Sequence, residues 1–157
     1  MQKKHGLILQ KKKNLPIQIF RLSGIYSQER NILKKIKSRS HQIINKPNHF
    51  FSRIHVEDIS NVLKITLDSK YLKPGEIYNL SDDYPCSNIE IANYAYDLIK
   101  ASKPKMIEIH EIKNEMLRNF YKDSKKVSNK KIKKVFSYKL KFPTYKEGLS
   151  GIYDHFI

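Results

Sequence analysis

Apolar and polar positions alternate along this chain in short blocks that suit strands and helices in turn. Pro16-Ile-Gln-Ile-Phe-Arg-Leu22 is rich in β-branched and aromatic residues, enters through a proline and breaks at Ser23-Gly24, the pattern of a strand. A short helix around Asn31 to Lys37 and a short strand near Gln42 to Asn45 follow. Phe50-Phe-Ser-Arg-Ile-His-Val56 reads as one extended piece. Asp58 then opens a helix over 58–69, in which Ile59, Val62, Leu63 and Leu67 recur at the 3–4 spacing of one buried face. Pro74-Gly75 turns the chain into a second compact strand, Glu76-Ile-Tyr-Asn-Leu80.

Helix starts carry their own chemistry. Ser87-Asn-Ile-Glu90 has the spacing of a capping box, in which the serine and glutamate side chains satisfy amide donors left open at a helix start. The helix it opens buries Ile91, Ala92, Ala95, Leu98 and Ile99. Asn129 begins another, with Ile132, Val135 and Phe136 inward. Thr144-Tyr-Lys-Glu147 is a second capping box, with Leu149, Ile152 and Phe156 as its stripe. Residues 2–13 form a basic, helical stub. Strand, crossover helix, strand, helix is the order of a parallel sheet with covered faces. Two such strands do not make a self-sufficient sheet, so the pattern describes a partial domain over 1–157.

The composition is that of a folded protein: 39% hydrophobic, 29% charged and 11% aromatic. No apolar run is long enough to span a bilayer or to serve as a signal peptide, so no membrane role is expected and the cytoplasm is the default compartment. One cysteine, Cys86, allows neither an internal disulfide nor a cysteine-based metal site, and no metal is expected. The net charge is +16, but only five of the 31 basic residues are Arg, the residue favoured for bidentate phosphate and base contacts. Lys11 to Lys13 and Lys130 to Lys134 are the densest clusters, and the second lies on a helical segment where outward lysine is ordinary. Nucleic acid is therefore not the expected partner, although a small basic protein that binds nucleic acid or an acidic partner stands as the alternative reading.

Four segments, in order, resemble the second half of an extended short-chain dehydrogenase/reductase, the NAD-dependent epimerase/dehydratase family. They are Phe20-Arg-Leu-Ser-Gly-Ile-Tyr26, Arg53-Ile-His-Val-Glu-Asp-Ile59, Glu76-Ile-Tyr-Asn-Leu-Ser81, and the tail from Lys125-Lys-Val-Ser-Asn129 through Phe142-Pro-Thr-Tyr-Lys-Glu-Gly148. The resemblance covers nearly all of residues 15–149. The resemblance implies an α/β fold, the carboxyl-terminal portion of a Rossmann-like parallel sheet plus the small substrate-binding lobe. In the intact family NAD or NADP exchanges hydride with a nucleotide sugar or similar hydroxyl substrate. By the same resemblance Tyr26, Arg53, His55 and Arg118 line the substrate pocket.

The departures matter as much. No Gly-x-Gly-x-x-Gly is present to bring a pyrophosphate to a helix amino terminus, and after Tyr26 the family's Gly-Pro-Gly is Ser27-Gln28-Glu29. The family's catalytic Tyr-x-x-x-Lys belongs upstream of the strand at 16–22. Two matches to it, Tyr96 with Lys100 and Tyr121 with Lys125, carry no information: ten tyrosines in a chain this lysine-rich give roughly two by chance. The isolated chain is thus expected to hold no cofactor and no catalytic residue. It reads as a truncated or split protein whose partner is an amino-terminal half from a neighbouring reading frame, with self-association as the other outcome. A third reading is a longer enzyme whose coding sequence begins upstream of Met1.

Among individual residues, Asp58 suits a cap for its own helix. Arg53 is placed either to meet a substrate phosphate or to pair with Glu57 or Asp58. His55 in an extended run reads as a structural histidine, and Cys86, without a neighbouring His or second Cys, as an inert thiol.

Overall fold

The computed structural model describes residues 17–155. In chain order the strands and helices are β1 (Ile19–Leu22), β2 (Gly24–Tyr26), α1 (Ile32–Lys37), β3 (Ile44–Asn45), β4 (Phe50–Phe51), β5 (Arg53–His55) and α2 (Val56–Thr66). There follow β6 (Ile77–Leu80), β7 (Cys86–Ser87), α3 (Asn88–Leu98), β8 (Ile107–Glu108), α4 (Glu115–Phe120), α5 (Lys130–Phe136) and α6 (Tyr145–Asp154). The basic stub at 2–13, Pro16 and Phe156 lie outside the described residues.

Strand pairing is mostly parallel. β1 pairs with β6 in the register Ile19 to Ile77 through Leu22 to Leu80, with α2 between them in sequence, as the strand–helix–strand order predicts. β2 pairs parallel with β5, β3 parallel with β8, and β4 antiparallel with β7. The chain is α/β and carries a partial Rossmann-like arrangement. Gly75, at φ 82°, makes the turn into β6 and donates its amide to the Ile17 carbonyl at 2.8 Å, lengthening the β1 ladder.

Two of the expected elements are cut differently. The extended piece at 50–56 is two strands, because β4 turns its edge to β7 while β5, one residue later, turns to β2. The helix expected over 58–69 starts at Val56 and ends at Thr66, and its cap is His55, whose Nδ1 accepts from the Glu57 amide at 3.3 Å.

Asp58 is therefore not the cap. It sits in the first turn, fully buried, and closes a long-range contact. Its Oδ1 accepts from the Tyr138 hydroxyl at 2.6 Å and the Lys141 amide at 2.7 Å, and its Oδ2 from the Phe142 amide at 3.1 Å. A carboxylate in the first turn also meets the positive end of the helix dipole.

Local signals elsewhere hold. The Asn31 side chain caps α1, and Thr144 with Glu147 forms a complete capping box on α6. At α3 only half the box forms: Ser87 accepts from the Glu90 amide, while the Glu90 carboxylate instead accepts from the Tyr145 hydroxyl at 3.1 Å. Tyr96 joins Ile91, Ala92 and Ala95 in the core, whereas Leu98 and Ile99 are only half-buried. The Asn129 side chain leaves the start of α5 uncapped and donates instead to the Ser81 carbonyl at 2.9 Å and to Asp83 at 2.7 Å.

One core joins α1, α3 and α6 around Leu33, Ala92, Tyr145 and Leu149. A second lies between α2, α5 and the paired strands, around Ile54, Val62, Tyr78, Leu80 and Ile132. Leu63 and Leu67, expected on the buried face of α2, are 43% and 86% exposed, because nothing among the described residues covers that flank. Leu22 at the end of β1 is likewise exposed, while Ile17 and Ile19 are half-buried.

Replacing Asp58 tests the long-range contact. Asp58→Ala strands two amides and a hydroxyl and is expected to cost roughly 3–5 kcal/mol in urea unfolding, with Asp58→Asn losing less. A cost below about 1 kcal/mol for the alanine variant would show that Asp58 is only a helix-start residue.

Candidate functional site

The loop after β2, the first turn of α2 and the last turns of α6 enclose a cleft of about 540 Å³. Ser27, Gln28 and Glu29 form one lip, Glu57 and Lys141 another, and His155 closes the end. His55 and Phe142 make its inner wall, their rings 4.1 Å apart between centroids.

Each wall follows from local structure. The parallel ladder sets Tyr26 opposite His55, and the two rings meet edge to face at 5.0 Å. Tyr26 can reach that position only because α6 carries glycine at 148, where a Cβ would overlap the Tyr26 hydroxyl. Phe142 and Lys141 are held by Asp58, as above. Lys141 then bonds Glu57 at 2.6 Å, which holds the Glu57 carboxyl below its usual range. Burial, first of all, holds His55 below the usual imidazole range, so at neutral pH its Nδ1 is free to accept the Glu57 amide.

Of the four residues implicated by resemblance, the structure brings two together. His55 lines the cleft and Tyr26 packs directly behind it. Arg53, on the same strand, is buried and turned away from the cleft. Its guanidinium donates to the Phe51 carbonyl at 2.9 Å, to Cys86 Sγ at 3.2 Å and to Asn88 Oδ1 at 2.5 Å. It forms no bond to Glu57 or Asp58. Asn88 in turn donates to the Tyr121 hydroxyl at 2.8 Å, so a buried polar chain runs from β5 through α3 to the end of α4. Arg118 lies on α4, exposed, and does not line the cleft.

Neither Tyr-x-x-x-Lys match forms a catalytic pair. The buried Tyr96 hydroxyl sits 3.4 Å from His41 Nδ1, while Lys100 is exposed and left-handed at φ 53°. Tyr121 is buried, and Lys125 pairs with Asp123 at 2.7 Å. Burial pushes the Cys86 thiol up to about 12, which makes it inert.

Asp82 was not legible as a site residue. It follows β6, is 2% exposed, and its Oδ1 accepts from the Tyr84 amide at 3.3 Å while its Oδ2 has no partner. The nearby Tyr26 hydroxyl is also buried without a partner. Burial pushes Asp82 up to about 7, with Arg53 only partly opposing it, and burial with Asp82 and Asp58 drives Tyr26 far above its usual range. The adjacent acidic pair at 82 and 83 was the only signal in the sequence.

Among the described residues, no group of three or more His, Cys, Asp or Glu side chains could hold a metal ion, and no helix is long and apolar enough to cross a membrane. Nor do the cleft residues fit a whole dinucleotide. Its one lysine is committed to Glu57, and no glycine-rich turn presents amides to a pyrophosphate.

No protein-family model and no curated protein matches the chain. Solved structures do. A functionally unknown conserved protein from Silicibacter pomeroyi is 35% identical, with TM-score 0.86 over 93% of this chain and 51% of that one. The dTDP-glucose 4,6-dehydratase of Bacillus anthracis, solved with NAD, is 16% identical with TM-score 0.71, over 98% of this chain and 49% of that one. The UDP-glucuronic acid 4-epimerase of Bacillus cereus, solved with UDP-glucuronic acid and NAD, is 14% identical with TM-score 0.73 over the same shares. The chain thus spans about half the length of each. Its fold is that of half of an NAD-dependent epimerase/dehydratase.

The buried acid sets a pH dependence. Because the folded value of Asp82 lies above the unfolded one, the native state holds the extra proton, so stability should fall as pH rises from about 4 to about 7 and then level off. Asp82→Asn is expected to remove that slope and to raise stability at pH 7.5 by a few kcal/mol. A variant with the same slope as the parent would place the titration elsewhere.

Proposed function

We propose that this chain is the carboxyl-terminal half of an NAD-dependent epimerase/dehydratase-like protein and supplies the substrate-side wall of its cleft. The observation that carries the reading is the 35% identity over 93% of this chain to one half of the Silicibacter pomeroyi protein, on a fold shared with sugar-nucleotide epimerases and dehydratases. The four quoted segments support it from the other side. Two of them, ending at Tyr26 and running through His55, meet across one ladder and build the inner wall.

In this reading the substrate is a nucleotide sugar or similar hydroxyl compound, and NAD or NADP would supply hydride exchange from the amino-terminal half. His55 and Phe142 offer stacked rings against which a sugar or nicotinamide face can lie, and Ser27, Gln28 and Glu29 offer hydrogen bonds to hydroxyls. Arg53 is proposed as a support for the wall. Its buried bonds to Asn88 and Cys86 fix β5, and with it His55. Arg118 and Tyr26 remain substrate-side proposals by resemblance only, Tyr26 through the ring it places behind His55.

On this reading the chain does not catalyse alone, because the pyrophosphate cradle and the acid/base pair belong to the other half. Its partner is that half, and self-association is what its absence would leave. Two of the lysines in the dense run on α5 are paired, Lys131 with Glu76 and Lys133 with Asp83, which weighs against a nucleic-acid groove.

Titration calorimetry with NAD and NADP tests the proposal. The chain alone should bind neither better than millimolar. Micromolar affinity for either would overturn it.

A further inference from the structure

One wall of the cleft contains a glycine that the backbone does not require. Gly151 lies inside α6 and lines the cleft. A glycine inside a helix weakens it relative to alanine, because it has more freedom to lose. Its φ is not positive, so any residue could adopt its conformation. A Cβ at this position would meet only the rim of the Phe142 ring, at 3.4 Å, an ordinary contact distance. Gly148, one turn earlier, differs, since there a Cβ would overlap Tyr26. What position 151 supplies is open space beside Phe142, at a cost in helix propensity.

The charge around that space is unlike the rest of the molecule. On a chain of +16, the cleft is lined by two carboxylates, Glu29 and Glu57, against one lysine, Lys141, a formal −1 with its histidines neutral. Among the described residues no arginine lines it. Lys141 is held by Glu57 Oε2 at 2.6 Å, and Lys34, outside the lining, pairs with Glu29 at 2.5 Å. A phosphate in this cleft would have to take Lys141 from Glu57 and lie beside two carboxylates. An uncharged sugar ring meets no such obstacle. Its C–H face can rest on an aromatic ring, and its hydroxyls can donate to the lone pairs that Lys141 leaves on Glu57.

We propose that this cleft takes an uncharged sugar or polyol ring, laid against Phe142 in the space beside Gly151, and that Glu57 excludes phosphate by holding Lys141. The inference rests on the reading above and narrows its ligand to one that brings no phosphate into this cleft. Glu57 then has two tasks that share one carboxylate. It accepts from the ligand's hydroxyls, and it neutralises the one cation through which a phosphate could be drawn in. The same ion pair keeps Lys141 alongside Phe142, its ammonium 5.2 Å from the ring centroid.

The test titrates the full chain, at physiological salt, with a set of methyl hexosides and pentosides and with glucose 1-phosphate, reading the ring resonances of His55 and Phe142 by NMR. At least one methyl glycoside should shift both rings saturably in the millimolar range, and glucose 1-phosphate should bind there no more tightly. Glu57→Gln should invert that preference, weakening the glycoside and tightening glucose 1-phosphate about threefold as Lys141 is released. Gly151→Leu should abolish the glycoside shifts without lowering the thermal melt, because leucine is the better helix former. Should the leucine lower the melt, Glu57→Gln decides alone, since that side chain is half exposed and the change keeps its shape. Silence from every glycoside, tighter binding of glucose 1-phosphate to the parent chain, or a preference indifferent to Glu57→Gln would each overturn the inference. Failure here is separable from failure of the functional reading. Micromolar NAD binding by the chain alone sinks that reading whatever the glycosides do. Weak NAD binding with no glycoside shift sinks only the inference about this cleft.

Discussion

The wall of the cleft depends on one buried carboxylate. Asp58 receives two backbone amides and a tyrosine hydroxyl from a segment 80 to 84 residues away, and no cation among the described residues bonds it directly. A carboxylate so placed has exchanged its water for three fixed donors plus the positive end of α2, which is why it tolerates complete burial. The exchange has a geometric result. The turn at 138–142 can lie only where those donors converge, which sets Phe142 against His55 and leaves Lys141 within reach of Glu57. His55 caps the same helix from outside, so one helix start organises both faces of the wall.

Behind that wall the structure uses a second polar device with a different balance. Arg53, Asn88 and Tyr121 satisfy one another in a line that ties β5 to α3 and α4. A buried guanidinium left without such partners would cost several kcal/mol. Asp82 lies close enough to feel the arginine charge but has one oxygen unbonded, and there burial outweighs the attraction. Two buried acids on neighbouring elements thus differ in character: Asp58 is fully bonded and structural, Asp82 half-bonded and poised near neutrality. Perturbed groups of the second kind gather where structure serves chemistry, and Asp82 stands beside the tyrosine that backs the cleft.

How much of this was readable in the sequence depends on distance along the chain. The cap at Thr144 and the turn at Gly75 are decided within four residues, and they form as read. Ser87 also caps, but Glu90 has a better partner in Tyr145, fifty-five residues on, and local spacing cannot reveal that competition. Asp58 failed for the same reason: a carboxylate near a helix start looks like a cap until the distant loop is in place. The run at 50–56 has one composition but two sheet partners, and pairing choice is not written in side-chain period. Of the candidate site, Tyr26 and His55 were found through the order of family-like segments. Lys141, Phe142 and His155 were not, because they converge only after α6 folds back onto α2.

The error at Leu63 and Leu67 is of another kind, and it says most about the molecule. Periodicity reports which residues avoid water in the finished protein, not whether the covering surface is on the same chain. Both leucines obey the period and neither is covered. A leucine side chain kept from water contributes roughly 1.5–3 kcal/mol, so a helix flank with Val56, Leu63 and Leu67 all partly wet forgoes stabilisation comparable to much of a small domain's margin. A lone stray leucine would need no account. Here the deficit is ordered: it follows one flank of one helix and recurs at Leu22 and Ile25 on β1 and β2, where β1 has a single strand neighbour among the described residues. Random surface apolarity has no reason to track sheet topology in this way.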